Sequence, residues 1–467
     1  MDTKKLTEVD VVIVGGGING CGLIRDLALN GVSTLLLEKG DFSSQTSQSS
    51  SKMLHGGIRY LENLDFALVQ EALEEKNLWL KLAPHICYEK EFIIPLYTYS
   101  KFKPWMMKIG LFVYDFLSHF KNKPHSMLTK EETISAVPSL SSQGLLGAGK
   151  YYDAIVDDAK LSLECLYDAL LEPNTHAENY HEVIKVDDSQ GKKRITYKNL
   201  LSGEIKEVLA SYVVYSTGPF TDKLLPSLGI NWSPKMKLSK GIHLWLKKDT
   251  LTNDEAVVLT TRDGRVVFVI PQRDAILLGT TESPVNEEIF NIKANEDEID
   301  YLINVFNEYF DQRKISKEHI ISSYAGVRPL VKDENAGGDL GKVSRHHKVF
   351  RPDNQSYVIL GGKYTTFRTM VQDIAKEIVP RLGKSYNPQL TLNPLRQKSI
   401  KGTFDKNQNI DQEEIQQILN IERVKTKEDL LRRRLSHIED LDALHDKIKD
   451  FKIDNLIQSS TEGQQLF

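Results

Sequence analysis

The chain has 467 residues, a formal net charge of −4, 40% hydrophobic residues and 27% charged residues. These values are typical of a globular protein with a large core and two or three domains, and they exclude an overall attraction to nucleic acid. The three cysteines lack C-x-x-C spacing, the first residues are polar, and no apolar stretch reaches the ~18 residues that span a membrane. We therefore expect a protein without a signal peptide, a transmembrane helix or a metal site, which is cytosolic or rests on a membrane surface from the cytosolic side.

The first motif is a strand followed by a glycine-rich turn. The apolar run 9–14 breaks into G-x-G-x-x-G at Gly15, Gly17 and Gly20, and a helix-forming segment follows. Gly15 permits the tight turn, Gly17 lets a pyrophosphate approach the backbone, and Gly20 lets the helix pack on the strand. The next β run ends at Glu38, where a carboxylate is expected to bind the ribose hydroxyls of adenosine. This order of elements predicts a dinucleotide-binding domain and disfavours a 2′-phosphate.

A second nucleotide-binding feature is the hydroxyl-rich segment 43–52, which follows the acid. Runs of this composition are typical of flexible linkers. Beside a dinucleotide site, however, hydroxyl groups, backbone amides and a lysine are suited to a pyrophosphate and a ribityl chain. From this segment we predict four cofactor-binding residues: Thr46, Ser47, Ser51 and Lys52.

Two later β runs also end in small residues. The run 212–216 leads into a Thr-Gly pair, and the run 357–360 leads into a glycine pair and a helix start with hydroxyl groups. A strand, a glycine and a helix start together form a cradle for an anion or a carbonyl group. The other predicted cofactor-binding residues are His55, Gly57, Thr217, Gly218, Gly362, Lys363 and Thr365.

Residues 101–123 form a basic, aromatic-rich stretch. Tryptophan, methionine and phenylalanine side chains recur at helical spacing between positions 105 and 120, and lysines flank them at both ends. A helix of this kind can lie in the interface of a bilayer. The same pattern is also typical of a core helix with a solvated lysine face. The sequence leaves both interpretations open.

The remaining segments predict ordinary structural elements. Residues 66–82 predict an amphipathic packing helix. Strands joined by short turns are predicted over 238–246, 256–260, 266–270 and 275–279. A charged helix is expected over 296–310. Beyond residue 394, Lys, Glu, Asp and Gln dominate, and a helical stripe over 431–451 predicts a small α-helical C-terminal domain.

Together these motifs resemble the FAD-dependent glycerol-3-phosphate dehydrogenase family, in its aerobic, quinone-linked branch and its oxygen-using oxidase relatives. The chain departs from the family where Arg432, Arg433 and Arg434 run directly into Leu435, and where Gly264 stands at a position to which relatives often give a lysine. The matching blocks follow the family order at 13–20, 50–61, 105–115, 240–243, 268–271, 279–281, 326–330 and 361–368.

The resemblance implies an α/β fold with a discontinuous Rossmann-like FAD-binding domain, a β-rich substrate domain and a small α-helical C-terminal cap. It also implies noncovalent FAD, a quinone acceptor and a homodimer on the inner face of the cell membrane. The expected divisions are the FAD-binding domain at 1–95, 150–230 and 325–385, a membrane-proximal segment at 96–149, the substrate domain at 231–324 and the cap at 390–467.

The implied reaction, oxidation of glycerol 3-phosphate to dihydroxyacetone phosphate, needs a base and a clamp for a phosphate dianion. Arginine suits the clamp because its planar fork binds phosphate oxygens in pairs, and Arg59 and Arg328 lie in matching blocks. His243 is the favoured base, with a pKa expected near working pH, and His55 competes for that role or contacts the cofactor. The other candidate catalytic residues are Tyr60 and Lys363.

Three alternatives remain open from the sequence. The first is a glycerol-3-phosphate oxidase that uses oxygen. The second is an amine or amino-acid oxidase on the same scaffold, although two arginine blocks suit a dianion better than an apolar amine pocket. The third is a flavin-binding paralogue without activity, against which intact His243, Arg59 and Arg328 argue.

Overall fold

The computed structural model describes residues 7–262, 264–332, 346–400 and 412–435. The strands form one sheet of eight strands and one of ten. In chain order the strands are β1 (Thr7–Val14), β2 (Thr34–Leu37), β3 (Met53–Leu54), β4 (Cys87–Tyr97), β5 (Ser126–Leu128), β6 (Leu145–Val156), β7 (Thr175–Glu178), β8 (His181–Ser189), β9 (Lys192–Asn199), β10 (Ile205–Tyr215), β11 (Met236–Lys247), β12 (Ala256–Thr260), β13 (Val266–Pro271), β14 (Ala275–Gly279), β15 (Ser283–Pro284), β16 (Ile320–Val331), β17 (His347–Asp353) and β18 (Ser356–Gly361). The helices are α1 (Ile18–Leu29), α2 (Phe66–Leu82), α3 (Pro104–Leu117), α4 (Lys130–Ala136), α5 (Asp158–Ala169), α6 (Thr221–Ser227), α7 (Glu296–Tyr309), α8 (Phe367–Arg381), α9 (Gln412–Ile421) and α10 (Lys427–Asp429), which continues as a wider helical turn over Leu430–Leu435.

The eight-stranded sheet is the dinucleotide-binding unit that the glycine pattern predicts. Strands β18, β10, β1, β2 and β7 are parallel neighbours in that order. The apolar end of β1, from Val11 to Val14, is buried, as a central parallel strand requires. Helices α1, α5 and α8 share one core with this sheet, to which Leu23, Leu161 and Ile374 contribute. The Rossmann-like α/β fold class is confirmed.

In the ten-stranded sheet, β11 pairs with β14, β15 and β16. The strands predicted over 256–260 and 275–279 are found at those bounds as β12 and β14. β11 and β16 run antiparallel over nearly their full length, with Ser239 opposite Arg328 and His243 opposite Tyr324. This pairing brings two blocks that are distant in sequence to the same part of the sheet.

Four strands that the sequence prediction assigns wholly or partly to the FAD-binding domain pair in the ten-stranded sheet. Residues 53–54, 87–95, 150–156 and 325–331 belong to β3, β4, β6 and β16 of that sheet. β4 and β6 pair antiparallel, from Cys87 opposite Val156 onward. An apolar pattern identifies a strand but not its partner, so the sequence could not assign these strands to a sheet.

Helix α3 has one buried face and one exposed apolar face. Met107, Leu111 and Tyr114 are buried, and Gly149 of β6 lies against Met107 and Leu111. The outer face does not fit the core-helix interpretation, because its apolar side chains are exposed. None of the described helices is long and apolar enough to cross a bilayer. The exposed apolar side chains of α3 and the turn after it are Trp105, Met106, Ile109, Phe112, Phe116 and Phe120.

The described part of the C-terminal region is helical, as predicted, and has a small core of its own. Ile415 and Ile418 of α9 pack with Leu430 and Leu431. The part of the predicted stripe beyond residue 435 lies outside the described residues. The three cysteines of the chain are free thiols buried in the protein: Cys21, Cys87 and Cys165.

Candidate active site

A cavity of about 860 Å³ opens between the two sheets and collects nearly all of the predicted site residues. Its volume lies at the upper end of the range for small-molecule sites. Gly20 and Lys52 do not line it. The predicted residues that do are Gly15, Gly17, Glu38, Thr46, Ser47, Ser51, His55, Gly57, Arg59, Tyr60, Thr217, Gly218, His243, Arg328, Gly362, Lys363 and Thr365.

The glycine turn places the N-terminus of α1 at the cavity. Gly15 has a φ of +106°, which disfavours a side chain, and Gly17 caps α1 without a side-chain hydrogen bond. A Cβ atom at Gly20 would lie 1.9 Å from the Gly15 carbonyl oxygen. Gly20 therefore permits close packing of the turn. Ser47 Oγ accepts a hydrogen bond from the Ile18 amide over 2.9 Å.

Glu38 directly follows β2 and lies beside this turn. Its two carboxylate oxygens accept hydrogen bonds from the Gly16 and Gly40 amides, each over 2.7 Å. Burial raises the pKa of Glu38, and the two amide hydrogen bonds oppose that shift. Each carboxylate oxygen keeps a further lone pair for a ribose hydroxyl. Glu38 thus stabilises the turn through these two hydrogen bonds and also lines the cavity.

Lys52 differs from its predicted role as a cofactor contact. Its Nζ lies 2.5 Å from Asp158 Oδ1 and 2.5 Å from the Gln48 carbonyl oxygen, and the side chain is buried. An ammonium group buried in this way needs a paired carboxylate. Asp158 lies 106 positions further along the chain, so no local sequence pattern pairs the two residues. Thr46, in the same segment, donates to the Val327 carbonyl oxygen over 2.8 Å.

His243 is buried at the cavity wall. Its Nε2 lies 2.9 Å from Ser51 Oγ, and its ring stacks on Tyr324 with 4.9 Å between the centroids. Within the described residues Nδ1 has no hydrogen-bond partner. Burial lowers the pKa of His243 well below its ordinary 6.5, and the charges of Arg328 and Lys52 lower it further. This direction runs against the expectation of a pKa near working pH and favours the neutral imidazole.

Arg328 extends from β16 toward Gly241 of β11. Its Nη2 donates to Thr280 Oγ1 over 2.8 Å, and its Nη1 lies 3.3 Å from the Thr281 carbonyl oxygen. A Cβ atom at Gly241 would lie 2.2 Å from Nη2, so the glycine leaves room for the guanidinium group. Arg59 lines the same cavity, and its guanidinium carbon lies 5.9 Å from the Tyr60 ring centroid.

Lys363 and Tyr60 lie together on another part of the cavity wall. Lys363 Nζ is 4.0 Å from the Tyr60 ring centroid and 3.4 Å from the Gly56 carbonyl oxygen. The His55 amide donates to Thr365 Oγ1 over 3.2 Å, and Thr365 Oγ1 donates to the His55 carbonyl oxygen over 3.4 Å. The blocks around residues 55 and 363 are thus joined through main-chain groups.

Residues that the sequence prediction missed include Tyr324, which lies beside His243, and Asp153, which lines the cavity. Tyr324 stacks on His243 and donates to the Ser50 carbonyl oxygen over 2.7 Å. Asp153 lines the cavity, and Tyr114 of α3 donates to both of its carboxylate oxygens over 2.9 Å. Burial raises the pKa of Asp153 to about 6, against the opposing charge of Lys76. An aspartate inside the apolar strand β6 was the available clue.

Comparison with known proteins identifies the family to which this site belongs. A model of the FAD dependent oxidoreductase family matches residues 10–363. The chain belongs to this family. Within it, the aerobic glycerol-3-phosphate dehydrogenase of Staphylococcus epidermidis is 32% identical over 384 residues, which cover 81% of this chain and 68% of that protein. This FAD-dependent oxidoreductase therefore groups with the aerobic glycerol-3-phosphate dehydrogenases.

Two solved structures share the fold of this FAD-dependent oxidoreductase. The glycerol-3-phosphate dehydrogenase from Bacillus halodurans complexed with FAD superposes with a TM-score of 0.76 and 22% identity, covering 98% of this chain and 92% of that one. The L-alpha-glycerophosphate oxidase from Mycoplasma pneumoniae with FAD bound gives a TM-score of 0.62 and 17% identity, covering 83% and 98%. At these identities the likeness concerns the fold alone.

The cavity of this FAD-dependent oxidoreductase suits the cofactor of its family. The open N-terminus of α1 offers backbone amides and a favourable dipole to a pyrophosphate. Ser43 Oγ, also at the cavity, is buried without a hydrogen-bond partner among the described residues. A Cβ atom at Gly218 would meet nothing within 4 Å, so the backbone there leaves space for a ligand. Glu38 would hold the ribose, and Gly57, Gly362 and Thr365 lie where the other end of an extended cofactor would be held.

This fit gives the first testable prediction. The purified protein should be yellow with one FAD per chain, and acid precipitation should release the FAD into the supernatant. The absorbance spectra of supernatant and pellet measure the distribution. Flavin that stays in the pellet would contradict noncovalent binding, and a colourless protein that takes up no FAD would remove the assignment of the cofactor site.

Proposed function

We propose that this chain oxidises sn-glycerol 3-phosphate to dihydroxyacetone phosphate, with FAD as hydride acceptor, and passes the electrons to a membrane quinone. The observation that carries the proposal is the gathering of a neutral histidine and two arginines, His243, Arg59 and Arg328, at one cavity. The activity in the name of the S. epidermidis relative supports the same substrate. An amine or amino-acid oxidase is the second candidate, but it leaves one of the two guanidinium groups without an anion to bind.

The oxidation removes a hydride from C2 of the substrate and a proton from the C2 hydroxyl. FAD, when bound, supplies the atom N5, which accepts a hydride. His243 is suited to take the proton, because its imidazole lies at the cavity wall and its lowered pKa favours the neutral form. Its Nε2 lies 2.9 Å from Ser51 Oγ. Ser51 and the stacked Tyr324 hold the ring in place.

The clamp and the base are electrostatically connected. Arg328 is one of the charges that lower the pKa of His243. A phosphate dianion held by Arg328 and Arg59 cancels part of that charge, so substrate binding raises the pKa of the base toward the range useful for proton transfer. On this proposal the imidazole is unprotonated before the substrate binds and becomes a stronger base once the dianion is bound.

Anaerobic addition of glycerol 3-phosphate is the direct test. We expect the flavin absorbance of the purified protein to bleach within one turnover, because the electrons have no acceptor. Glycerol at the same concentration should leave the band unchanged, since it lacks the phosphate. Bleaching by glycine or sarcosine, with none by glycerol 3-phosphate, would establish the amine-oxidase alternative and refute the proposal.

The exposed face of α3 supports a membrane location for the electron acceptor. Its apolar side chains include Trp105, 65% exposed, and Phe112, 54% exposed. Lysines at 101, 103, 108, 121 and 123 flank this face and suit anionic headgroups. The proposal includes a homodimer on the inner face of the cell membrane and keeps the divisions of the chain given in the sequence analysis as a prediction.

Sedimentation with anionic liposomes tests the membrane face. Trp105→Glu combined with Phe112→Glu should abolish the co-sedimentation seen at low salt, because two carboxylates cannot enter the bilayer interface. Leu201→Glu combined with Ile205→Glu is the matched control, since both residues are also more than half exposed and lie in the β9–β10 region. Unchanged co-sedimentation of the first variant would refute the membrane role of α3.

The same liposomes distinguish the two acceptors. If a quinone is the acceptor, reduction of a quinone analogue in the bilayer should far exceed peroxide production. The α3 variant should then lose quinone reduction without an increase in peroxide production. Peroxide production equal to substrate consumption would instead identify an oxygen-using oxidase.

A further inference from the structure

A buried ionic cluster joins the described part of the cap to the loop after β2. Asp41 lies in this loop and is 2% exposed, and Arg434 of the cap is 0% exposed. Arg433 Nε donates to Asp41 Oδ2 over 2.5 Å. Arg434 Nη2 donates to Asp41 Oδ1 over 3.1 Å, and its Nη1 also contacts Oδ2. One carboxylate thus receives two guanidinium groups that lie 392 and 393 positions away along the chain.

The remaining donors of the two arginines are also used. Arg433 Nη2 donates to Asp429 Oδ1 over 2.9 Å. Arg434 donates through Nε and Nη2 to the Glu422 carbonyl oxygen, over 3.2 and 2.9 Å. Burial alone would raise the pKa of Asp41, but Arg434 and Arg433 hold it below its ordinary value. A buried network satisfied in this way fixes the relative position of the elements that contribute to it.

The loop that carries Asp41 is also a wall of the cofactor cavity. Residues between 38 and 47 line that cavity, Asp41 among them. On one side the Ser43 amide donates to the Gly16 carbonyl oxygen over 2.9 Å, which joins the loop to the glycine turn. On the other side Arg433 Nη1 donates to Gln48 Oε1 over 3.3 Å. The cap therefore touches this loop at two points, and the loop touches the turn that faces the pyrophosphate.

We propose that Arg433 and Arg434 are positioning residues for FAD, because they hold the loop 38–48 in the shape that retains the cofactor. Docking of the cap and binding of FAD are therefore coupled. The proposal rests on FAD binding in the cavity and is independent of the substrate that is oxidised. Coupling of this kind is reciprocal: a docked cap slows the loss of FAD, and bound FAD keeps the cap docked. Removal of one guanidinium group leaves Asp41 partly uncompensated, and the loop loses its support from the cap.

The release of FAD from the holoprotein tests the proposal without any substrate. Arg433→Gln removes one of the two guanidinium groups that contact Asp41, and with it the hydrogen bond to Gln48. We expect FAD fluorescence, after dilution into FAD-free buffer, to appear about 10- to 100-fold faster than in the wild type, the effect of losing charge-assisted hydrogen bonds. Arg432→Gln is the matched control, because the Arg432 side chain is 43% exposed and pairs with Glu428 one turn away. Its FAD release should be unchanged.

A second measurement separates coupling from simple structural support. In the wild type, added FAD should slow limited proteolysis within residues 412–435. In Arg433→Gln, FAD should protect this segment much less, while Arg433→Lys, which restores the charge but not the fork, should fall between the two in both assays. If Arg433→Gln does not fold, the comparison of Arg433→Lys with the wild type replaces it, with faster FAD release expected.

Two results would overturn the proposal. One is a variant that melts earlier than the wild type but releases FAD at the wild-type rate, which would make the cluster a structural tie alone. The other is wild-type protein whose cap is cleaved equally fast with and without FAD. Neither result depends on bleaching by glycerol 3-phosphate, so failure of this inference and failure of the proposed function are distinguishable.

Discussion

His243→Asn is expected to lower kcat by about 10²- to 10⁴-fold, the range for loss of a positioned general base. Asparagine fits the space and can still contact Ser51, but its amide does not accept a proton at neutral pH. FAD content should stay at one per chain, because His243 lies in the ten-stranded sheet and not in the glycine turn. Steady-state kinetics with a quinone analogue, together with the flavin spectrum, measure both quantities.

His55→Asn is the partner experiment. If His55→Asn loses kcat and His243→Asn turns over nearly normally, the roles of the two histidines are exchanged. The contacts of the His55 backbone with Thr365 do not depend on the side chain, so this variant should retain the local fold.

The pH profile of the wild type gives an independent check on the base. Because the pKa of His243 is lowered well below 6.5, the free protein holds the imidazole unprotonated as the pH falls to that value. The acid limb of kcat/KM, which reports the free enzyme, should therefore lie below pH 6.5. A limb centred at or above 6.5 that disappears in His243→Asn would contradict the neutral imidazole.

Arg328→Lys should lower kcat/KM by about 10- to 100-fold, or roughly 1–3 kcal/mol, because lysine keeps the charge and loses the planar fork. The lysine cannot reach Thr280 Oγ1 and a phosphate oxygen with the same geometry that the guanidinium group uses. Arg262→Lys is the control: its guanidinium group is exposed and pairs with Glu308. Loss of FAD from Arg328→Lys, without a change in substrate affinity, would show that Arg328 holds the cofactor.

The parts of the fold that follow from local pattern were predictable from sequence. The strand, glycine turn and helix from β1 to α1 depend on residues close in the chain, and so do β12, β14 and α2, whose bounds match the prediction. The approach of the blocks around His243 and Arg328 was inferred from the resemblance, and the register of β11 against β16 supplies its physical basis.

The features that sequence reasoning missed depend on long-range partners. Lys52 looked like an anion-binding residue because its neighbours are hydroxyls, but its charge is used by Asp158. The sheet that receives β4 and β6 is decided by tertiary pairing. The outer face of α3 has the spacing of a core helix, and only its exposure in the folded protein separates the two interpretations. The lowered pKa of His243 likewise depends on burial that periodicity does not reveal.

The burial of the three cysteine thiols affects their reactivity toward oxidants. Burial raises the pKa of Cys21, Cys87 and Cys165, to about 12 for Cys165. Thiolates, not thiols, react with peroxide and alkylating agents, so the three cysteines of the folded protein are protected from both. Cys21 lies in α1 directly behind the glycine turn, with its Sγ 3.4 Å from the Gly16 carbonyl oxygen. Chemical modification of this thiol therefore requires the dinucleotide-binding unit to open, which makes Cys21 a built-in reporter of that opening.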